Sequence, residues 1–185
     1  LYILRASTGE VLQERFWGVA PSLIHRIRPL PGTTSFACIG EQQYRPFVAR
    51  LDYLGQVYWR TVFQFHRFPS ALHALYTTPA GQIIVGGQYN QRWGISLLDT
   101  EGRVVWEKLW PQEGPHGTVQ AIFQGPEGIL YATGWQYTRT LSSSEYKGGR
   151  DVWLAALTPH GKLLWERGFG GPYDEEGIAL TATDS

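Results

Sequence analysis

The chain has 185 residues, and its 16 basic and 16 acidic side chains give no formal net charge. Because no polybasic run stands out, neither nucleic acid nor an anionic membrane is favoured as a partner. The single cysteine, Cys38, excludes an intramolecular disulfide and a thiolate metal cluster, and every apolar run is far shorter than the ~20 residues that cross a bilayer.

The first predicted elements, in residues 1–18, match only the second half of the four-strand pattern found later in the chain. The stretch "LYILRASTGEVLQ" predicts two strands joined by a turn at Gly9. They correspond to the third and fourth segments of the longer units that follow, so 1–18 is predicted to be a partial unit. The sequence has no Met, and we expect it to be a piece of a longer chain.

Three longer units follow, in residues 22–65, 70–110 and 117–169. Each contains four short segments rich in Val, Ile, Tyr, Trp, Leu and Thr and bounded by Gly, Pro, Asp or Ser, a pattern that predicts strands. In each unit the last two segments are joined by a turn, as in "LDTEGRVVWEK", where Asp99 favours the turn. After them, the end of the chain at 174–185 predicts only the first strand of another unit.

A glycine and a tryptophan mark the same point of successive units. The turn glycines are Gly9, Gly55, Gly102 and Gly161, and the residues four positions later are Gln13, Trp59, Trp106 and Trp165. Units of about 45 residues with four strands each are typical of β-propellers. We therefore predict an all-β propeller of four-stranded antiparallel blades, of which the chain covers about four blades' worth, with further blades outside it. Trp59, Trp106 and Trp165 are predicted to be mostly buried between blades.

The repeated units resemble bacterial secreted propeller repeats related to the quinoprotein (PQQ-like) family. "LDTEGRVVWEK" and "LDYLGQVYWR" are similar to an Asp-x-x-x-Gly-x-x-x-Trp pattern of such repeats, whereas the first unit has Ala6 and Gln13 at the Asp and Trp positions. The resemblance implies an extracytoplasmic bacterial protein, often a scaffold or surface module. Quinone catalysis would require polar and calcium-binding residues around the axis, and these cannot be matched in the sequence.

The first strands carry one candidate set. His25, His73 and Gln120 occupy corresponding positions and are expected to line the central channel, while the next equivalent position holds Ile178. Either the set binds a ligand or metal ion, or its members form ordinary hydrogen bonds between blades. We predict no catalytic, cofactor-binding or metal site, because nucleophile, phosphate-loop and zinc motifs are missing from the sequence.

The longest interruption of the repeat, 137–150, is a second candidate. It reads "YTRTLSSSEYKGGR", a polar and Ser-rich insertion between a second and a third strand, which predicts an exposed loop. Its residues Arg139, Tyr146, Lys147 and Arg150 are of types enriched at protein interfaces. We predict that they contact a protein partner or the remainder of a larger chain.

The function expected from these features is non-enzymatic: an extracytoplasmic propeller that acts as a protein-binding or assembly scaffold. Two alternatives stay open. One is a quinoprotein-like or lyase-type enzyme with its site at the channel. The other is a carbohydrate-binding propeller that uses exposed aromatic rings such as Trp110, Trp135 and Tyr137.

Overall fold

The computed structural model describes residues 2–4, 7–8, 11–14, 22–63, 71–89, 92–110, 116–125, 127–137 and 149–181. Over these residues the secondary structure consists of strands, turns and irregular segments, without a helix. The strands are β1 (Tyr2–Leu4), β2 (Val11–Glu14), β3 (Ser22–Pro29), β4 (Phe36–Gln42), β5 (Arg45–Leu51), β6 (Val57–Val62), β7 (Ala71–Thr77), β8 (Ile83–Tyr89), β9 (Arg92–Leu98), β10 (Val104–Leu109), β11 (Gly117–Gln124), β12 (Leu130–Tyr137), β13 (Arg150–Leu157) and β14 (Leu163–Phe169).

The strands form three sheets of four and one short hairpin. The first sheet contains β3 to β6, the second β7 to β10 and the third β11 to β14, and in each the spatial order follows the chain. Every pairing is antiparallel, and β1 pairs with β2 alone. The prediction of an all-β chain with three consecutive four-stranded antiparallel sheets between 22 and 169 is confirmed. No helix in the described part of the chain could span a membrane.

In the first two sheets, the turn between the third and fourth strands is built by an aspartate and a glycine. In the second sheet, Asp99 Oδ1 accepts hydrogen bonds from the backbone N–H groups of Glu101 and Arg103. Gly102 has φ +82°, a conformation that costs L side chains energy. Asp52 accepts two backbone N–H groups in the first sheet in the same way. These aspartates therefore stabilise turns, as the sequence predicts.

The hydrophobic core lies between the sheets. Ala37, Ile39 and Val48 of the first sheet pack with Leu72 and Leu75 of the second. A larger cluster joins the second and third sheets and includes Trp93, Trp110 and Trp153, whose rings lie 4.3–4.9 Å apart between centroids. Because Trp110 is only 6% exposed, the expectation that it offers a ring for sugar stacking is wrong.

The opposite face of the first sheet has a smaller cluster of its own. Cys38, Phe47, Ala49 and Leu51 are all buried there. Burial raises the pKa of the Cys38 thiol to about 12, although a hydrogen bond with the Ala49 backbone opposes the shift. Cys38 is thus a small buried apolar residue and not a reactive thiol.

Candidate functional site

Each first strand contains a one-residue β-bulge, and the bulged residues are the predicted channel set. Pairing passes from Ile24 to Arg26 in β3, from Leu72 to Ala74 in β7 and from Val119 to Ala121 in β11. The residues left unpaired are His25, His73 and Gln120. A bulge redirects its side chain and is common beside functional sites. The three polar residues thus occupy the same position, the bulge of the first strand, in the three sheets.

A glycine in the second strand makes room for each bulge. Gly40, Gly87 and Gly134 lie opposite the residue that precedes the bulge. A Cβ on Gly87 would collide with the Ala71 carbonyl oxygen, and the other two glycines face a first-strand carbonyl in the same way. The bulges are consequently fixed by the backbone, whatever side chain they carry.

The first two bulged residues lie in one charged neighbourhood. His25 Nε2 lies 3.2 Å from Glu41 Oε1, and Arg26 Nε donates a hydrogen bond of 3.1 Å to the His73 carbonyl oxygen. Burial, followed by the charges of His25 and Arg26, lowers the pKa of His73, while Glu41 and Glu176 act in the opposite direction. The His73 imidazole is therefore held in its neutral form near neutral pH.

The corresponding residues in the third sheet and after it differ from His25 and His73 in chemistry and burial. Gln120 is half-buried, and Ile178, at the next corresponding position, is 70% exposed. No group of three or more His, Cys, Asp or Glu side chains in the described residues is arranged to hold a metal ion. Hydrogen bonding between neighbouring sheets is the contact observed here, through Arg26 and His73.

Two of the repeated tryptophans join one sheet to the next. The Trp59 indole of β6 lies over Gly102 in the second sheet, and its Nε1–H donates 2.8 Å to the Thr100 carbonyl oxygen. Trp106 of β10 makes the equivalent contact with Gly161 in the third sheet and donates 3.0 Å to the Pro159 carbonyl oxygen. Both indoles are partly buried and pack against the hydrophobic clusters between the sheets.

The third repeated tryptophan has no such neighbour among the described residues. Trp165 of β14 is 38% exposed, and its ring contact is with Tyr131 of its own sheet, at 6.3 Å between centroids. The prediction that Trp165 is mostly buried between sheets is therefore wrong.

Residues 174–177 lie against the third sheet, where they contact Arg150 and Gly134. The Arg150 backbone N–H donates 2.8 Å to Asp174 Oδ1, and its guanidinium pairs with Asp174 and Glu176. The backbone N–H groups of Glu175 and Gly177 donate to the carbonyl oxygens of Arg150 and Gly134. The hydrogen bond from the Arg150 backbone is the main cause of the lowered pKa of Asp174.

This segment is where the sequence predicts a first strand, and over 174–181 the structure contains none. A strand requires a hydrogen-bonded partner along its length, and no described second strand lies beside it. Its placement is nevertheless that of a first strand. Gly177 faces Thr133 of β12, just as Val119 of β11 faces Gly86, the residue that corresponds to Thr133 in β8.

Only the two ends of the predicted partner-binding loop lie among the described residues. Arg139, Tyr146 and Lys147 lie outside the described residues. Arg150 is described, and its side chain is engaged within the chain, both with the acidic segment and over the Trp135 ring at 5.3 Å. Tyr137, at the other end of the loop, is 43% exposed. The interface role of this loop stays a prediction.

Sequence reasoning missed the partners of the candidate residues. Glu41 lies beside His25 within the first sheet, and Arg26 donates a hydrogen bond to the second sheet, but neither residue belongs to a repeated motif. From the sequence, the acidic run at 174–176 is assigned only to the start of a predicted first strand. Its pairing with Arg150 depends on the chain returning to the third sheet after β14, which spacing alone does not show.

Comparison with known proteins identifies a similar fold. No protein-family model matches the chain, and no curated protein shows significant similarity to it. Among solved structures, a protein of unknown function from Bacteroides caccae superposes with a TM-score of 0.55 at 13% sequence identity. The match covers 94% of this chain and 56% of that one, so the chain spans a little over half the length of the solved protein. At this identity the likeness concerns the fold.

Proposed function

We propose that the chain is part of a β-propeller that acts as a non-enzymatic binding and assembly scaffold. We further propose that the side of the third sheet that carries Trp165 receives a further four-stranded repeat. The observation that carries the proposal is the tryptophan contact, which occurs twice between consecutive sheets and is left incomplete at Trp165. A stacked repeat buries faces that one sheet cannot bury alone. The exposed indole is thus a docking point.

The position of 174–177 supports the same proposal. Backbone and side-chain contacts with Arg150 and Gly134 hold this segment against the third sheet, at the place where we propose that the first strand of a following sheet begins. An exposed pair such as Arg150 with Asp174 contributes little stability. Its structural effect is to fix the direction of the chain as it leaves the third sheet. The likeness to a solved structure almost twice as long is consistent with more repeats.

A scaffold role is favoured because the polar side chains of the sheets already serve the fold. Asp52 and Asp99 stabilise turns. Glu166 accepts hydrogen bonds from the indole N–H groups of Trp110 and Trp153, at 2.8 and 3.3 Å. We further propose, from the resemblance to secreted propeller repeats, that the protein is extracytoplasmic and that loop 137–150 contacts a protein partner.

An extended chain tests the proposal with the protein's own residues. In this designed chain, a second copy of residues 119–169 follows residue 176. The copy begins at Val119 because Gly177 occupies the corresponding place beside the third sheet. We expect a single cooperative unfolding transition with a larger m-value in urea, because more surface is buried in one unit. As a control, valine replaces the turn glycine of the added copy, the residue that would lie on Trp165. If the added copy unfolds separately from the three sheets, the proposal is refuted.

A further inference from the structure

The first strand of the first sheet is exposed at two apolar positions that are buried in the other sheets. Ile24 precedes the bulge of β3 and Ile27 follows it, and they are 40% and 44% exposed. The corresponding apolar residues of the other two sheets are at most 8% exposed; they are Leu72 and Leu75 in β7, and Val119 and Ile122 in β11. Apolar positions that are buried in two repeats and exposed in another indicate a surface without its neighbour.

The two isoleucines lie on the face of the first sheet that is opposite to the second sheet. Ile24 pairs with Gly40 and Ile27 pairs with Cys38 of β4. Gly40 and Cys38 are two residues apart on one strand, so all four residues share a face. Cys38 and Phe47, on the two middle strands, are buried on this face. The apolar exposure is therefore at the first strand, while the middle of the sheet is covered.

In the other sheets, the second strand of the preceding repeat covers these positions. A Cβ added to Gly86 of β8 would lie 2.7 Å from Val119 Cγ1 and 3.1 Å from Ile122 Cδ1, so both side chains of β11 rest on β8. Ile39 of β4 corresponds to Gly86, and it belongs to the cluster that buries the equivalent leucines of β7. The element that covers a first strand is thus the second strand of the repeat before it.

The hairpin of β1 and β2 offers the second half of such a repeat. Its turn glycine, Gly9, corresponds to Gly55 and Gly102, which lie between the third and fourth strands of the first two sheets. Among the described residues β1 pairs with β2 alone, so its other edge has no partner strand there. An unpaired edge is a template for a further strand. One hairpin could therefore pair with β1 and cover β3 at the same time.

We propose that β3 is an interface for two strands, the first and second strands of the repeat to which β1 and β2 belong. The second of these strands pairs with β1 and packs on Ile24 and Ile27. The burial of these two side chains is the driving force. This inference rests on the proposed function, because it supposes stacked repeats, and it names the partner of the side of the chain opposite to Trp165.

The test supplies these two strands from the chain's own second repeat. Because Gly9 corresponds to Gly102, Leu1 corresponds to Gly94, and a copy of residues 70–93 placed before Leu1 completes the repeat in register. The copy contains β7 and β8, and β8 already accommodates two β-branched side chains of β11. Ile24 and Ile27 are β-branched as well. We call this design the N-terminally extended chain.

The measurement is the rate at which iodoacetamide labels a cysteine introduced by Ile27→Cys, followed by mass spectrometry of the peptide. In the 1–185 chain the rate should be close to that of Val105→Cys, because Val105 is 55% exposed. In the N-terminally extended chain it should fall about tenfold or more, because a covered side chain reacts only during local opening. It should then match Ile122→Cys in the 1–185 chain. Native Cys38 is buried and gives a separate peptide.

Gly86→Leu in the added copy is the matched control. A side chain at this place would occupy the room that the isoleucines need, so fast labelling should return. Slow labelling with the native copy and fast labelling with the control support the proposal. Fast labelling with the native copy overturns it, and so does slow labelling with both copies, because the cover then does not depend on the second strand.

Two other results also overturn the proposal. The first is that the N-terminally extended chain fails to fold while the 1–185 chain folds, because matching strands should not disrupt the sheets. The second is slow labelling of Ile27→Cys in the 1–185 chain itself, and acceleration on dilution would then identify a second copy as the cover. The design lacks the C-terminal copy that tests docking at Trp165, so this proposal and the proposed function can fail separately.

Discussion

Replacing Gly102 by alanine should separate the two roles of the turn glycine. The first role is conformational, because φ at Gly102 is +82° and an L residue there costs about 1–2 kcal/mol. The second is steric. A Cβ would lie 2.5 Å from Trp59 Cε3, so the indole would have to move and lose its hydrogen bond to the Thr100 carbonyl oxygen. With ~1 kcal/mol for that bond and a similar amount for lost packing, we expect a total cost of about 3–4 kcal/mol.

Gly81→Ala is a matched control for the conformational part. Gly81 has φ +79°, and its nearest neighbour to an added Cβ is Thr100 Cγ2 at 3.5 Å, which is ordinary contact. We therefore expect this variant to lose only about 1–2 kcal/mol. Urea unfolding followed by circular dichroism gives both free energies, and repeating the pair in a Trp59→Ala background should make the two costs equal. If Gly102→Ala costs no more than Gly81→Ala in the wild-type background, the indole does not dock on the glycine.

Three further predictions concern single side chains. Because the pKa of His73 is lowered in the folded state, the unfolded chain binds more protons just below pH 6.5, and the free energy of unfolding should fall on acidification through that region. Urea unfolding at pH 7.5 and 5.5 should show a smaller loss of unfolding free energy for His73→Gln than for the wild type, and an equal loss would contradict the account. Since the pKa of Cys38 is about 12, native protein should react with a thiol reagent only as fast as it unfolds, and rapid labelling under native conditions would be inconsistent with its burial. Arg150→Met should release 174–177, seen as faster hydrogen exchange at the Glu175 and Gly177 amides with exchange in β12 unchanged; unaltered exchange at both amides would show that Arg150 does not hold the segment.

The repeat in the sequence predicted the three sheets because it combines two local signals. Alternating β-formers mark each strand. An Asp–Gly pair marks the turn before the final strand of the first two sheets, and Thr158 with Gly161 marks it in the third. The same alignment placed His25, His73 and Gln120 at one position. It did not reveal the bulge that makes this position special, since a bulge is a relation between two paired strands and leaves no consistent mark on one of them.

Other features depend on neighbours that a single segment does not identify. Trp165 has the same local sequence signal as Trp106, and its exposure follows from what lies beside the third sheet. The sequence predicts that Arg150 contacts a partner, and the structure shows that its guanidinium pairs with Asp174 and Glu176 of the same chain.

The central claim is that the third sheet presents a docking point for a further repeat, and the free-energy cost of Trp165→Ala tests it most directly. In the chain of residues 1–185 the cost should stay below ~1 kcal/mol, because Trp165 is 38% exposed and lacks a covering turn among the described residues. In the extended chain with the added copy of 119–169, it should rise to ~2 kcal/mol and match the cost of Trp106→Ala, through the same packing and indole hydrogen bond. An equal, small cost in both chains would contradict the account.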